Sequence, residues 1–143
     1  MEIRTEVQIA APAAEVWRSL TELADYQQWN PFITQIGGEL REGQALTVHL
    51  SLPEGRDFVI HPRLLRCQEN EELRWRGHLL FPGLFDGEHF FRLEAIAPDR
   101  TRFVQGENFT GILVRFAGHT VTRAARGFVY MNEALKRRVE SAR

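Results

Sequence analysis

Cysteine is almost missing from this chain. Cys67 is the only one among 143 residues, so no internal disulfide can form and a reducing, cytoplasmic setting is expected. An excess of one charge is missing as well: 18 Lys and Arg stand against 19 Asp and Glu, a formal net charge of −1. A general nucleic-acid binder needs a basic footprint, so that class is excluded. No apolar run approaches the roughly 20 residues that cross a bilayer, and no stable membrane insertion is expected. The opening MEIRTEVQIA alternates charged and apolar residues without an apolar h-region, which argues against a signal peptide. His49, His61, His78 and His119 fall one to a segment, with no His, Cys or Asp spacing suited to zinc. No glycine-rich phosphate loop follows a strand and no Gly-x-Ser-x-Gly elbow occurs. Neither metal nor cofactor is therefore expected.

What is there is hydrophobic patterning. A chain of this length buries about 68–70% of its unfolded surface, enough for one domain over 1–143 with a core and an internal pocket. Ile3, Thr5, Val7 and Ile9 alternate with Arg4, Glu6 and Gln8, the period of a half-buried strand. Pro12 suits the first turn of a helix and Glu15 its positive end. Ala13, Val16, Leu20 and Leu23 then recur at helical spacing. Asn30-Pro31 ends the helical run, because proline pushes its predecessor into extended geometry.

From 33 to 110 the period is mostly two, punctuated by turn signals such as Gly37-Gly38, Pro53-Glu54-Gly55 and Pro98-Asp99. Strands are expected near 33–40, 46–52, 56–67, 72–80, 86–97 and 101–110. Connections this short favour antiparallel neighbours. After Gly111 the period changes again. Val121, Ala124, Phe128, Met131 and Leu135 form one apolar stripe at steps of three and four. The helix carrying them starts between about 112 and 120, since Gly118 and Gly127 weaken it. Residues 111–143 carry seven Lys and Arg against two Glu. Arg123, Arg126, Lys136 and Arg137 read as a solvated face, or as a patch for an acidic partner.

Several residues carry the resemblance of this chain to a known family. They are Ala11-Pro12 with Val16-Trp17, Trp29-Asn30-Pro31-Phe32, Leu73-Arg74-Trp75, and Gly87-Glu88-His89-Phe90-Phe91. Thr101-Arg102-Phe103, Glu107-Asn108-Phe109-Thr110-Gly111 and Met131-Asn132-Glu133-Ala134-Leu135-Lys136 complete the set. In order and spacing the chain resembles the SRPBCC (START-like) superfamily, in its polyketide cyclase/dehydrase-like branch. The resemblance implies an α+β helix-grip fold (START/Bet v-like), a curved antiparallel sheet wrapped around a long C-terminal helix. It implies a hydrophobic cavity between sheet and helix. It implies no shared catalytic motif.

Within that frame Trp29 and Phe32 read as walls near the cavity entrance or as plugs of a small auxiliary core. Val48, Leu50, Phe58, Ile60 and Trp75 fall on inward alternations and read equally as core and as pocket lining. His89 shares a strand face with Phe91 and Leu93, and Glu107 shares one with Phe103, Gln105 and Phe109. An imidazole beside a buried carboxylate can act as an acid–base pair, orient a ligand, or fix sheet register. Gln105 is the other polar group able to orient a ligand, while Phe128 and Met131 face the grip from the helix. Three functions stay open. The chain binds a lipid-like, aromatic or polyketide-like small molecule; or it is a cyclase or dehydratase using His89 and Glu107; or it is an interaction module without a ligand. Whether it is an enzyme, and its oligomeric state, stay open at this point.

Overall fold

The computed structural model describes residues 1–78 and 81–143. The elements run β1 (Glu2–Ile9), α1 (Ala13–Thr21), α2 (Tyr26–Trp29), β2 (Ile33–Gly37), β3 (Thr47–Ser51) and β4 (Asp57–Ile60). They continue with β5 (Arg63–Gln68), β6 (Glu72–His78), β7 (Asp86–Ala97), β8 (Arg100–Thr110) and α3 (Gly118–Ser141). Single 3-10 turns occupy Leu23–Asp25 and Val114–Phe116. All strand pairs are antiparallel. One sheet has the order β1-β8-β7-β6-β5 and the other the order β2-β3-β4. A curved antiparallel sheet against a long C-terminal helix is the α+β helix-grip architecture.

Two expectations change. The strand expected over 56–67 is divided into β4 and β5 around His61-Pro62. Proline cannot donate to a central ladder, so pairing lapses there and the chain passes from the small sheet to the large one. The two sheets are stitched where Leu46 N–H donates to Pro62 O, Leu64 N–H to Gln44 O and Gly43 N–H to Leu64 O. The second change is at Pro12, which precedes α1 as its extended N-cap rather than sitting in its first turn. The end of the strand expected over 72–80, at 79 and 80, lies outside the described residues.

The stripe of α3 lies where its spacing puts it. Val121, Ala124, Phe128, Met131 and Leu135 are all buried in one core with Phe32, Leu73, Trp75, Phe91 and Phe103. Gly127 is part of this packing. A Cβ there would run into the Phe32 ring, so the missing side chain lets that ring reach the helix backbone. Asn30 secures the approach: its Oδ1 accepts the amides of Phe32 at 3.0 Å and Ile33 at 2.8 Å. Tyr26 is fully buried and donates to Leu20 O, and burial pushes its phenol pKa up.

The last turns of α3 are clasped to the corner after β1. Glu140 accepts the Ala10 amide at 2.8 Å, and Lys136 Nζ donates to Gln8 O at 2.8 Å and to Glu140 at 2.7 Å. Lys136 is thus a tie rather than part of a free solvated face. On the convex side of the sheet Glu72 accepts from Arg74 and Arg92, each at 3.2 Å. Burial pushes the Glu72 carboxyl up, but Arg74 and Arg92 outweigh it and hold it below the usual carboxylate range.

Two outcomes follow. Gly→Ala in a helix ordinarily stabilises by about 1 kcal/mol, but Gly127→Ala should destabilise by roughly 1–3 kcal/mol through overpacking. Urea unfolding measures the sign. Because the Glu72 pKa is depressed on folding, its contribution is present above the unfolded value near ~4.3 and lost as pH falls through the lower folded value. Glu72→Gln should therefore be less stable at neutral pH and show a shallower loss of stability below about pH 4, read by thermal melts across pH.

Candidate functional site

Strand alternation decides which side chains look into the grip. The register sets Ile3 opposite Glu107, Glu107 opposite His89, His89 opposite Trp75 and Trp75 opposite Leu64. Thr5, Gln105, Phe91 and Leu73 form the next row toward one end. Toward the other end the row is Phe109, Gly87 and Gly77. The sheet therefore carries a polar pair on its inner face, a packed row on one side of it, and two adjacent glycines on the other.

Those glycines border a cavity. Its empty volume is about 820 Å³, open mouth included. Leu50, Leu52, Phe58 and Ile60 of the small sheet and its turn form one wall. Phe85 and Phe109 form another, and Ala124 and Phe128 of α3 close the helix side. Phe32, Ile33 and Trp75 complete the apolar lining. Polar side chains are few: Glu107 and His89, with the exposed His78 and half-buried Thr120.

His89 is 3% exposed. Trp75 stacks on it at 5.4 Å between ring centroids, Phe91 lies at 4.6 Å, and Phe128 meets it edge-on at 4.8 Å. Both ring nitrogens are engaged. Nδ1 lies 2.7 Å from Glu107 Oε1, and Nε2 lies 2.9 Å from Gln105 Oε1. The chain continues: Gln105 Nε2 donates to Asn132 Oδ1 at 2.7 Å, Asn132 Nδ2 donates to Thr5 Oγ1 at 2.8 Å, and Thr5 Oγ1 donates to Gln105 O at 2.8 Å. Gln105 Nε2 also faces Phe128 O at 3.4 Å. One polar chain thus ties β1, β7, β8 and α3 together.

The carboxylate differs from the imidazole in access. The Glu107 side chain is 18% exposed and borders the cavity. Its Oε2 lies over Gly87, where any Cβ would collide with it. Oε2 has no hydrogen-bond partner among the described residues, yet is not a sealed polar atom there. Glu107 and His89 both border the cavity, and the carboxylate is the more exposed of the two.

Of the residues singled out in the sequence, Phe32, Phe58, Ile60, Trp75, His89, Glu107, Phe109 and Phe128 line the cavity. Trp29, Val48, Phe91, Phe103, Gln105 and Met131 are placed elsewhere. Trp29 is half-buried at the edge of the core and packs edge-on against Tyr26 at 5.2 Å, outside the cavity lining. Val48, Phe91, Phe103 and Met131 are buried in the core. Gln105 lies one layer beneath the cavity surface, between His89 and Asn132. Missed by sequence reasoning were Asn132 and Thr5, and the glycines Gly77 and Gly87. Asn132 did carry a signal: it stands four residues after Phe128, a polar residue on the buried side of an apolar helix face. Cys67 is not activated, since burial and then Glu42 push its thiol pKa up. Among the described residues no three His, Cys, Asp or Glu gather as a metal site.

Residues 1–140 match the family model described as "Polyketide cyclase / dehydrase and lipid transport". The chain belongs to that family. No curated protein matches it in sequence. Among solved structures it is similar to a START superfamily protein from Mycobacterium smegmatis, with TM-score 0.79 and 19% identity over 99% of both chains. It is similar to the Zhui aromatase/cyclase from Streptomyces sp. R1128, with TM-score 0.78 and 18% identity over 98% of this chain and 93% of the other. A protein of Thermus thermophilus matches at TM-score 0.75 and 18% identity over 99% of both chains. At these identities the likeness establishes the fold alone.

The coupling of His89 and Glu107 is measurable. Breaking a fully buried ion pair costs about 3–5 kcal/mol; with one carboxylate oxygen open to the cavity the single changes His89→Leu and Glu107→Leu should each cost less, roughly 1–3 kcal/mol. The double change should be milder than the sum of the singles by at least about 0.5–1 kcal/mol, as a denaturation cycle would read. Simple additivity would mean that the two side chains do not act as a pair.

Proposed function

We propose that this protein binds an apolar or aromatic small molecule in the cavity between the small sheet, the glycine floor and α3. The observation that carries the reading is an apolar-walled space whose lining includes one inward-facing carboxylate. Water in such a space has few partners, whereas an apolar ligand gains about 25 cal/mol for each Å² it hides. A pocket that is mostly apolar with a few placed polar groups is the usual form of a small-molecule site. The family description includes lipid transport, and one structural neighbour is described as an aromatase/cyclase. Phe32, Phe58, Ile60, Trp75, Phe109 and Phe128 are the proposed contacts.

A second reading has one observation in its favour. Glu107 holds a carboxylate oxygen at the cavity with an imidazole fixed behind it, an arrangement suited to moving a proton on a polyketide-like substrate. Binding and turnover would use the same walls. His89 and Glu107 are the acid–base candidates of that reading, and both line the space a substrate would occupy.

The binding reading is tested with N-phenyl-1-naphthylamine, a neutral apolar fluorophore. It should saturate the protein with blue-shifted emission and quench tryptophan fluorescence through Trp75. Quenching should be largely lost in Trp75→Phe and kept in Trp29→Phe, since Trp29 packs on the short helices. Absence of saturable binding would rule the reading out.

A further inference from the structure

The polar chain behind Glu107 has a direction, and the direction begins at a group that cannot change role. The backbone carbonyl of Gln105 only accepts, so the Thr5 hydroxyl must give its proton to it at 2.8 Å. Thr5 Oγ1 then accepts from Asn132 Nδ2, which turns Asn132 Oδ1 toward Gln105 Nε2. Gln105 is thereby left with its Oε1 facing His89, 2.9 Å from Nε2. An amide oxygen has no proton to give, so His89 Nε2 carries one. The tautomer is set by a threonine two strands away.

With Nε2 committed, a single proton lies between His89 Nδ1 and Glu107 Oε1, which are 2.7 Å apart. It has two positions. On Nδ1 it leaves a carboxylate; on Oε1 it leaves a carboxylic acid whose hydroxyl points at the imidazole. In both cases Glu107 Oε2, over Gly87 and facing the cavity, has lone pairs and no hydrogen. The cavity presents an acceptor whichever side holds the proton.

We propose that Glu107 Oε2 selects ligands carrying a hydroxyl donor on an otherwise apolar skeleton. His89 is the positioning residue that keeps this oxygen an acceptor, and Gln105, Asn132 and Thr5 set the polarity of His89. This inference rests on the small-molecule reading above and adds the chemistry of the ligand. A keto or ether oxygen at the same place would set acceptor against acceptor and leave both unpaired, which rejects such a ligand more strongly than a missing methylene does.

The test uses the unaltered protein with naphthalene, 2-naphthol and 2-methoxynaphthalene, each displacing N-phenyl-1-naphthylamine. Naphthalene should bind; if none of the three does, the small-molecule reading itself fails. With binding established, 2-naphthol should bind about ten- to a hundredfold more tightly than 2-methoxynaphthalene, the worth of one hydrogen bond to a charged or polarised acceptor. Equal affinities would overturn the inference while leaving the cavity reading intact. Nitrogen-15 NMR of labelled histidine supplies a signature that packing alone would not move. His89, assigned by loss of its signals in His89→Gln, should show a protonated Nε2, and its Nδ1 resonance should shift with 2-naphthol more than with the ether. A bare Nε2, or equal Nδ1 shifts with both ligands, would refute the proposed polarity.

Discussion

The chain of hydrogen bonds from Thr5 through Asn132, Gln105 and His89 to Glu107 is the constraint on which the interior depends. Each member comes from a different element or strand position, and three of the five, Asn132, Gln105 and His89, are buried. A buried polar group left without a partner costs about 1–3 kcal/mol, so the chain is favourable only when complete. Completion requires β1, β8 and β7 to hold their register and α3 to hold its rotation. A helix packed by apolar contacts alone could slide by a turn at modest cost. One held through Asn132 cannot, and the position of Phe128 against His89 follows from that.

Around this chain the packing alternates between fullness and deliberate omission. Trp75, Phe91 and Phe128 box in the imidazole, while Gly87 leaves the room that the Glu107 carboxylate occupies. Gly127 performs the same service on the helix, admitting the ring of Phe32. The cavity borders Gly77 and Gly87 on two central strands, beside a row of large side chains.

Much of the architecture was legible in the sequence because burial writes itself as periodicity. The period of two over 33–110 and the three-and-four stripe from Val121 to Leu135 correspond to strands and to the buried face of α3. His89 and Glu107 were legible for the same reason, being polar residues on apolar faces of strands joined by a short turn. The break at Pro62 was present in the sequence but was read through, since a strand on either side masks one lapse of pairing. Trp29 shows another limit: aromatic character says that a residue packs against the core, not whether it reaches the cavity. Asn132 showed only as a polar residue on a buried helix face, and Thr5 stayed hidden because an alternating threonine acquires meaning only from its partner across the fold. The glycines carried no signal, since the information in Gly77 and Gly87 is the space they leave.

The lapse at Pro62 also divides the cavity between two hydrogen-bonded units. Every member of the polar chain belongs to the large sheet or α3, whereas Leu50, Leu52, Phe58 and Ile60 belong to the small sheet and its turn. One wall of the contour is therefore written in 47–60, apart from the stretch 89–132 that with Thr5 carries the chemistry. Substitution in the first stretch can enlarge, narrow or reshape the space without touching a proton. A fold arranged in this way can drift from one ligand to another of different outline while its recognition of a single functional group is inherited unchanged.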